Sequence, residues 1–255
     1  MASPAKSLST VRLFGLGLSP LNYEETLAWL AAQMKSNGRR HCVFTANVDQ
    51  VVRYARDPEL RQAYETADLV VADGMPLVWS ADWLGERLQE RVAGIDLLHG
   101  LCALSAAEEY RCYLLGARPE VNAEARGNLI ASYPPLRICG THSGYFEQDR
   151  PVVEAINQAK TQVLFVGMGS PRQELWLGRN WAALNCRIAL TVGGAFDVIA
   201  GKLIRAPLNV QKLGLEWMWR MLQEPRRLGR RYLIEGGKFL PLLWREWQAR
   251  RRASI

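Results

Sequence analysis

With 255 residues, 49% of them hydrophobic and 22% charged, the chain can bury one substantial core and is too apolar to be a disordered protein. Its formal net charge is +7, no apolar run approaches the roughly 20 residues of a membrane-spanning helix, and the N-terminus (MASPAKSLSTVRLFGLG) lacks the apolar core and cleavage site of a signal peptide. The five cysteines (Cys42, Cys102, Cys112, Cys139, Cys186) are scattered, odd in number and free of any CxxC, so reduced thiols in a cytoplasmic protein are expected.

Apolar runs and helical patterns alternate along the chain. Residues 11–16 read as a strand, 23–34 as a helix, 41–46 as a strand and 49–67 as one long helix. Residues 69–72 form a short buried strand, 76–84 a helix, and Asp96 fits an N-cap ahead of a helix over 97–107. Strands over 112–116, 137–139, 163–166 and 187–192 then alternate with helices over 119–132, 151–159 and 170–184. Short β-rich runs separated by helices of this length predict βαβ units. The expected fold class is α/β, a Rossmann-like and mainly parallel sheet flanked by helices.

The rhythm stops at Gly201–Pro207, and the charge balance changes there. Residues 202–255 hold 13 Lys and Arg against 4 Asp and Glu, interleaved with Trp217, Trp219, Tyr232, Phe239, Trp244 and Trp247. The expected organisation is an α/β domain over 1–201, the part that would carry any catalytic site, and a basic, aromatic-rich helical appendage over 202–255. Arginine and tryptophan together suit a surface that is anionic outside and greasy beneath, such as a phospholipid leaflet. Within the appendage, 214–223 reads as a helix with Leu215, Met218 and Leu222 on one face, ended by Glu224-Pro225. A solvated basic face on an ordinary globular helix is the simpler alternative.

In parallel α/β sheets ligands sit beyond the carboxyl ends of the strands, so the residues that follow each strand carry the functional reading. The 41–46 strand runs into Thr45-Ala46-Asn47-Val48-Asp49, where Thr45 and Asn47 can face one ligand or Asn47 can cap the next helix. The 69–72 strand leads to Asp73-Gly74-Met75-Pro76, where Asp73 is either a general base or a cap for the helix that Pro76 opens. Arg91, in Arg91-Val92-Ala93-Gly94-Ile95-Asp96, has the planar fork that matches phosphate. In Gly167-Met168-Gly169-Ser170-Pro171-Arg172-Gln173-Glu174, Gly167 and Gly169 permit close approach of a ligand to the backbone. Ser170, Pro171 and Gln173 fit a capping box at a helix start that favours an anion. Gly193-Gly194 after the last strand again permits close approach, and Asp197 can meet a ligand hydroxyl or fix the turn.

Several chemistries are set aside. His41, His99 and His142 match no metal-binding spacing, and no DxD stands ready to hold a divalent ion against a diphosphate. There is no Walker A loop, no complete GxGxxG and no GxSxG elbow.

Taken in order, TANVDQ, ADGMPLV, RVAGIDL, GMGSPRQE, GGAFDVIAGKLIRAP and GLEWMWRMLQEPRRLGRRY resemble the WecG/TagA/CpsF family of bacterial glycosyltransferases. The resemblance runs from about Thr45 to Tyr232. It implies an inverting, metal-independent enzyme with no cofactor, peripheral on the inner face of the plasma membrane. Such an enzyme moves a sugar from a UDP donor to an undecaprenyl-diphosphate-linked sugar during cell-surface polysaccharide synthesis. The donor sugar is N-acetylmannosamine, its uronic acid or glucose. By motif match, Asp73 falls on the catalytic base, and Thr45, Asn47, Arg91 and Gln173 on polar site residues. Arg220, Arg227 and Arg230 fall on arginines that meet substrate phosphates. The implied partners are the UDP-sugar, the polyprenyl-diphosphate-linked acceptor and anionic lipids, with homo-oligomerisation left open. Two other classes compete: a nucleic-acid-binding protein, suggested by the basic tail, and a nucleotide-binding module without catalysis. No recognition helix, RNP segment or zinc motif supports the first, so no nucleic-acid partner is expected.

Overall fold

The structure is a computed structural model that describes residues 9–36, 38–225 and 229–253, without the side chains of 230–235 and 253. It opens with a β-hairpin, β1 (Val11–Leu13) and β2 (Leu16–Leu18), where one strand over 11–16 is expected from sequence. Phe14 and Gly15 both take positive φ (57° and 82°), as a tight two-residue hairpin turn requires, and reverse the chain inside the apolar run.

Six parallel strands follow: β3 (His41–Ala46), β4 (Leu69–Ala72), β5 (Arg111–Gly116), β6 (Arg137–His142), β7 (Val163–Gly167) and β8 (Ile188–Thr191). They lie in the order β4-β3-β8-β7-β5-β6. The Rossmann-like α/β expectation therefore holds. Side chains alternate across the sheet, so Cys42, Phe44 and Ala46 of β3 join one core layer and Val43 joins the other. Phe165, Leu190 and Phe196 lie in the second layer and Val166 and Trp176 in the first, which buries the sheet on both faces.

The helices on the first part of the sheet are α1 (Tyr23–Lys35), α2 (Val48–Tyr54), α3 (Pro58–Tyr64), α4 (Met75–Trp83) and α5 (Gly94–Ala107). The long helix expected over 49–67 is thus two. Asp57 caps α3 by accepting from the N–H groups of Glu59 and Leu60, and Pro58, which has no N–H to continue α2, takes the first position of α3. Then come α6 (Pro119–Ser132), α7 (Asp149–Gln158), α8 (Arg172–Asn180) with a 3-10 turn at Trp181–Ala183, and α9 (Ala195–Ile199).

Two capping expectations fail. α8 begins at Arg172 with Pro171 at the cap and no side-chain cap bond, because the Gln173 amide is drawn elsewhere. α5 begins at Gly94 with Ala93 at its cap, so Asp96 sits inside the first turn.

The basic segment forms α10 (Leu208–Lys212), α11 (Glu216–Gln223) and α12 (Arg230–Ala253). Phe239 of α12 packs edge-on against Phe14 of the hairpin turn, ring centres 5.4 Å apart. Farther along, Arg250 bonds the Glu86 carboxylate at 2.8 Å and the Arg12 carbonyl at 2.5 Å. α12 therefore lies along the α/β body, anchored at both ends of its described stretch. Among the described residues no helix is long and apolar enough to cross a membrane. The five cysteines are free thiols, four of them buried.

Candidate active site

A cavity of about 280 Å³ lies beyond the carboxyl ends of β3, β4 and β8. Asn47, Asp73 and Val192, each just past one of those strands, line it together with Arg91. The basic segment closes the other side with Gly214, Glu216, Trp217, Arg220 and Phe239. Strand ends of the sheet and the basic segment thus meet in one hollow.

Asp73 stands at its floor. The backbone is fixed by its N–H donating to the Ala46 carbonyl at 2.7 Å, which continues the β3–β4 ladder one residue past β4. Val92 N–H donates to the Ala72 carbonyl at 2.8 Å and Gly94 N–H to Asp73 Oδ2 at 3.2 Å, so the 91–94 segment lies beside the acid. Asp73 keeps some solvent access through the cavity, while protein encloses its carboxyl on the remaining sides. Burial raises its pKa to about 6. Arg91, the Gly94 N–H and Arg220 pull it back down, and Glu216 adds to the rise. A carboxylate tuned this way accepts a proton near neutral pH better than an ordinary aspartate does.

The two cations differ. Arg91 Nη1 donates to Glu216 Oε2 at 2.6 Å, which leaves the other donors of its fork for a ligand. Glu216 also faces Arg205 Nε at 3.7 Å, and Arg205 grips both oxygens of Asp96 at 2.6 and 2.7 Å. The chain Arg91–Glu216–Arg205–Asp96 ties α11 to α5 across the cavity wall. Arg220, one turn on from Glu216, makes no hydrogen bond or ion pair to any described residue and lies against Gly194, where an added Cβ would strike its guanidinium. Asp197 Oδ2 is also close to that point. Among the described residues no group of three or more His, Cys, Asp or Glu side chains is placed to hold a metal ion.

Asn47 meets both of its sequence readings. Its Oδ1 caps α2 by accepting from the N–H groups of Asp49 and Gln50, and its Nδ2 has no hydrogen-bond partner among the described residues while the residue lines the cavity.

Thr45 and Gln173 lie behind the cavity wall. The Thr45 side chain is buried against Thr191, whose hydroxyl accepts from the Thr45 N–H at 2.9 Å. Gln173 is 1% exposed; its Oε1 accepts from Gly193 N–H at 3.1 Å and its Nε2 donates to Glu174 at 2.8 Å. The fully buried Glu174 accepts also from Gln50 Nε2 at 2.9 Å, and Gln50 in turn accepts from the Asn47 N–H at 2.8 Å. Burial raises the pKa of Glu174. This relay joins the Asn47 turn to the Gly193-Gly194 loop and so holds both sides of the cavity.

Gly167 and Gly169 do not line the cavity, and Arg172 of the same turn bonds the Gly144 carbonyl. Arg227 and the side chain of Arg230 lie outside the described residues. Glu216, Arg205 and Glu174 were not singled out as site residues from sequence, although Glu216 sits inside the quoted GLEW segment and Glu174 ends GMGSPRQE.

The chain is 34% identical over 193 residues, 74% of each chain, to an N-acetylglucosaminyldiphosphoundecaprenol N-acetyl-beta-D-mannosaminyltransferase of Staphylococcus aureus. It is 30% identical over 185 residues, 72% of each chain, to the Bacillus spizizenii protein of the same description. The profile of the glycosyl transferase WecG/TagA/CpsF family matches residues 11–253, from the first strand of the hairpin to the end of α12. By that match, this protein belongs to the WecG/TagA/CpsF family of glycosyl transferases.

Proposed function

We propose that the protein transfers a sugar, with inversion, from a UDP-sugar to a sugar carried on a polyprenyl diphosphate. The observation that carries this reading is one carboxyl, Asp73, with its pKa raised to about 6, in a cavity that also holds the guanidinium groups of Arg91 and Arg220. The relatives' description supports N-acetylmannosamine as the donor sugar and an N-acetylglucosaminyl-diphosphate lipid as the acceptor. The uronic acid and glucose are the other donors to test.

Inversion needs a single displacement. The acceptor hydroxyl oxygen forms a bond to the anomeric carbon as the bond from that carbon to the UDP oxygen breaks. UDP leaves with the electron pair, and the hydroxyl proton passes to Asp73. A positioned base contributes about 10²–10⁴-fold. The larger demand is charge on the departing diphosphate, and fixed cations in an enclosed site meet it without reorganising. Arg220, which forms no hydrogen bond or ion pair to a described residue, is the first candidate for that role and Arg91 the second; Arg227 and Arg230 share it by motif match alone. On this reading no metal ion is required. Thr45, Gln173 and Glu174 shape the cavity walls, and Asn47 Nδ2 is available to a sugar or phosphate oxygen.

The test is a panel of UDP-sugars with a short-chain lipid-diphosphate acceptor, following UDP release and product mass. Transfer from UDP-N-acetylmannosamine supports the reading. UDP binding without transfer to any lipid-linked acceptor would leave a nucleotide-binding module instead.

A further inference from the structure

The large apolar side chains that the fold leaves exposed are not scattered. Apart from Tyr145, those among the described residues all belong to α4 or to the segment from Ile204 to Trp244. The expectation from sequence places membrane docking in the basic segment alone. The structure adds a helix of the α/β body to it.

α12 packs chiefly against α2 and meets α4 at the C-terminal end of α4, the two helices running the same way. Met75 and Phe239 both line the cavity. Eight residues on, about 12 Å at 1.5 Å per residue, Trp83 and Trp247 stack with ring centres 5.7 Å apart. Three residues beyond those, Glu86 and Arg250 form an ion pair at 2.8 Å. Exposed on these two helices are Trp79 (47%), Trp83 (48%), Leu240 (68%) and Trp244 (51%), with Trp83 and Trp244 both stacked on Trp247. Gly214 abuts Met75 and Trp79, which brings the exposed Leu213 to the same edge. Exposed apolar side chains therefore recur from the cavity rim to the end of α4.

The charge around it is mixed along α4 and mainly positive toward the end of α12. Arg245, Arg251 and Arg252 are exposed on α12, while Glu246 is neutralised by Arg250. Arg251 covers the Trp247 ring at 4.5 Å. Asp82 is the single acid on α4. Half-exposed tryptophans rimmed by arginines match the boundary between anionic headgroups and acyl chains.

We propose that α4 and α12 form one docking platform for an anionic lipid surface, with Trp79 and Trp83 as anchors contributed by the α/β body. It rests on the proposed lipid-linked acceptor for its purpose but not for its test.

Wild-type protein is mixed with vesicles of phosphatidylglycerol and phosphatidylcholine, some lipids carrying a diazirine in the acyl chain. Photolabelled peptides are then mapped. Label on the peptide containing Trp79 and Trp83 is expected, and label confined to residues after Gly201, or none, overturns the proposal. Trp79→Gln and Trp83→Gln should each weaken vesicle co-sedimentation about tenfold, since each ring is already half buried. Turnover on a water-soluble acceptor analogue should be unchanged, which also shows that the variants fold. If the variants instead convert a lipid-free dimer to monomer and bind vesicles normally, the face is a contact between copies and the proposal fails. Absence of transfer in every arm with intact vesicle labelling would remove the proposed reaction and leave the platform standing.

Discussion

Replacing Asp73 by asparagine should stabilise the protein while it destroys activity. The ordinary aspartate value is 3.8 and the folded value is about 6, so the folded state holds its proton where the unfolded chain has lost it. With more protons bound in the folded state, stability falls as pH rises through that window and is flat above it. Two pKa units correspond to about 3 kcal/mol, an upper bound because the carboxyl keeps contact with cavity water. Of this, about 1 kcal/mol is lost between pH 5 and pH 8. An asparagine never ionises, so the variant escapes the cost. Urea unfolding of wild type and Asp73→Asn at pH 5 and pH 8 measures it, because most other titrations are common to the two proteins and drop out of the difference. The variant should gain about 1 kcal/mol over wild type on going from pH 5 to pH 8. A difference independent of pH, or one that favours wild type at pH 8, would refute the assignment of a burial-raised pKa to this acid.

The remaining predictions concern the cavity wall. The kcat/KM of wild type should fall about tenfold per pH unit below pH 6 as Asp73 gains its proton, and a pH profile of UDP release checks it. Glu216→Gln removes a carboxylate that raises the Asp73 pKa, so the acid limb of that profile should move to lower pH. The same change weakens the hold on Arg91 and Arg205 and should cost about 1–3 kcal/mol of stability, measured by denaturant unfolding. Gly194→Ala should fold like wild type, because Gly194 has φ of −92°, yet push the Arg220 guanidinium aside and raise the donor or acceptor KM. Prolonged dialysis against EDTA should leave turnover unchanged, and loss of activity restored by manganese would overturn the proposed role of the arginines.

How much of this could be read from sequence depended on whether the determinant was local. β4 is an uninterrupted apolar run and β3 a mainly apolar one, each followed by a polar residue, and their bounds emerged as observed, with Asp73 just past β4. The hairpin was missed because its turn is Phe14-Gly15 rather than the Asn-Gly that signals one. The α2–α3 break carried a local signal in Asp57-Pro58, overridden by helical periodicity on both sides. Gln173 was misread for the opposite reason. The local pattern Ser-Pro-x-Gln describes a capping box, but tertiary partners, Gly193 and Glu174, claim its amide. Glu216 could not be found by spacing at all, because its first partner, Arg91, is 125 residues away and only the fold brings them together. The half exposure of Trp79 and Trp83, with Trp247 of α12 stacked on Trp83, likewise has no local signal in the sequence.

The most direct test of the central claim pairs two measurements on one variant, Asp73→Asn: the affinity for the UDP-sugar, by calorimetry, and the single-turnover rate of transfer to a lipid-diphosphate acceptor. The account predicts unchanged donor affinity within a few-fold and a rate at least about 100-fold lower. A rate within a few-fold of wild type would show that Asp73 does not take the proton.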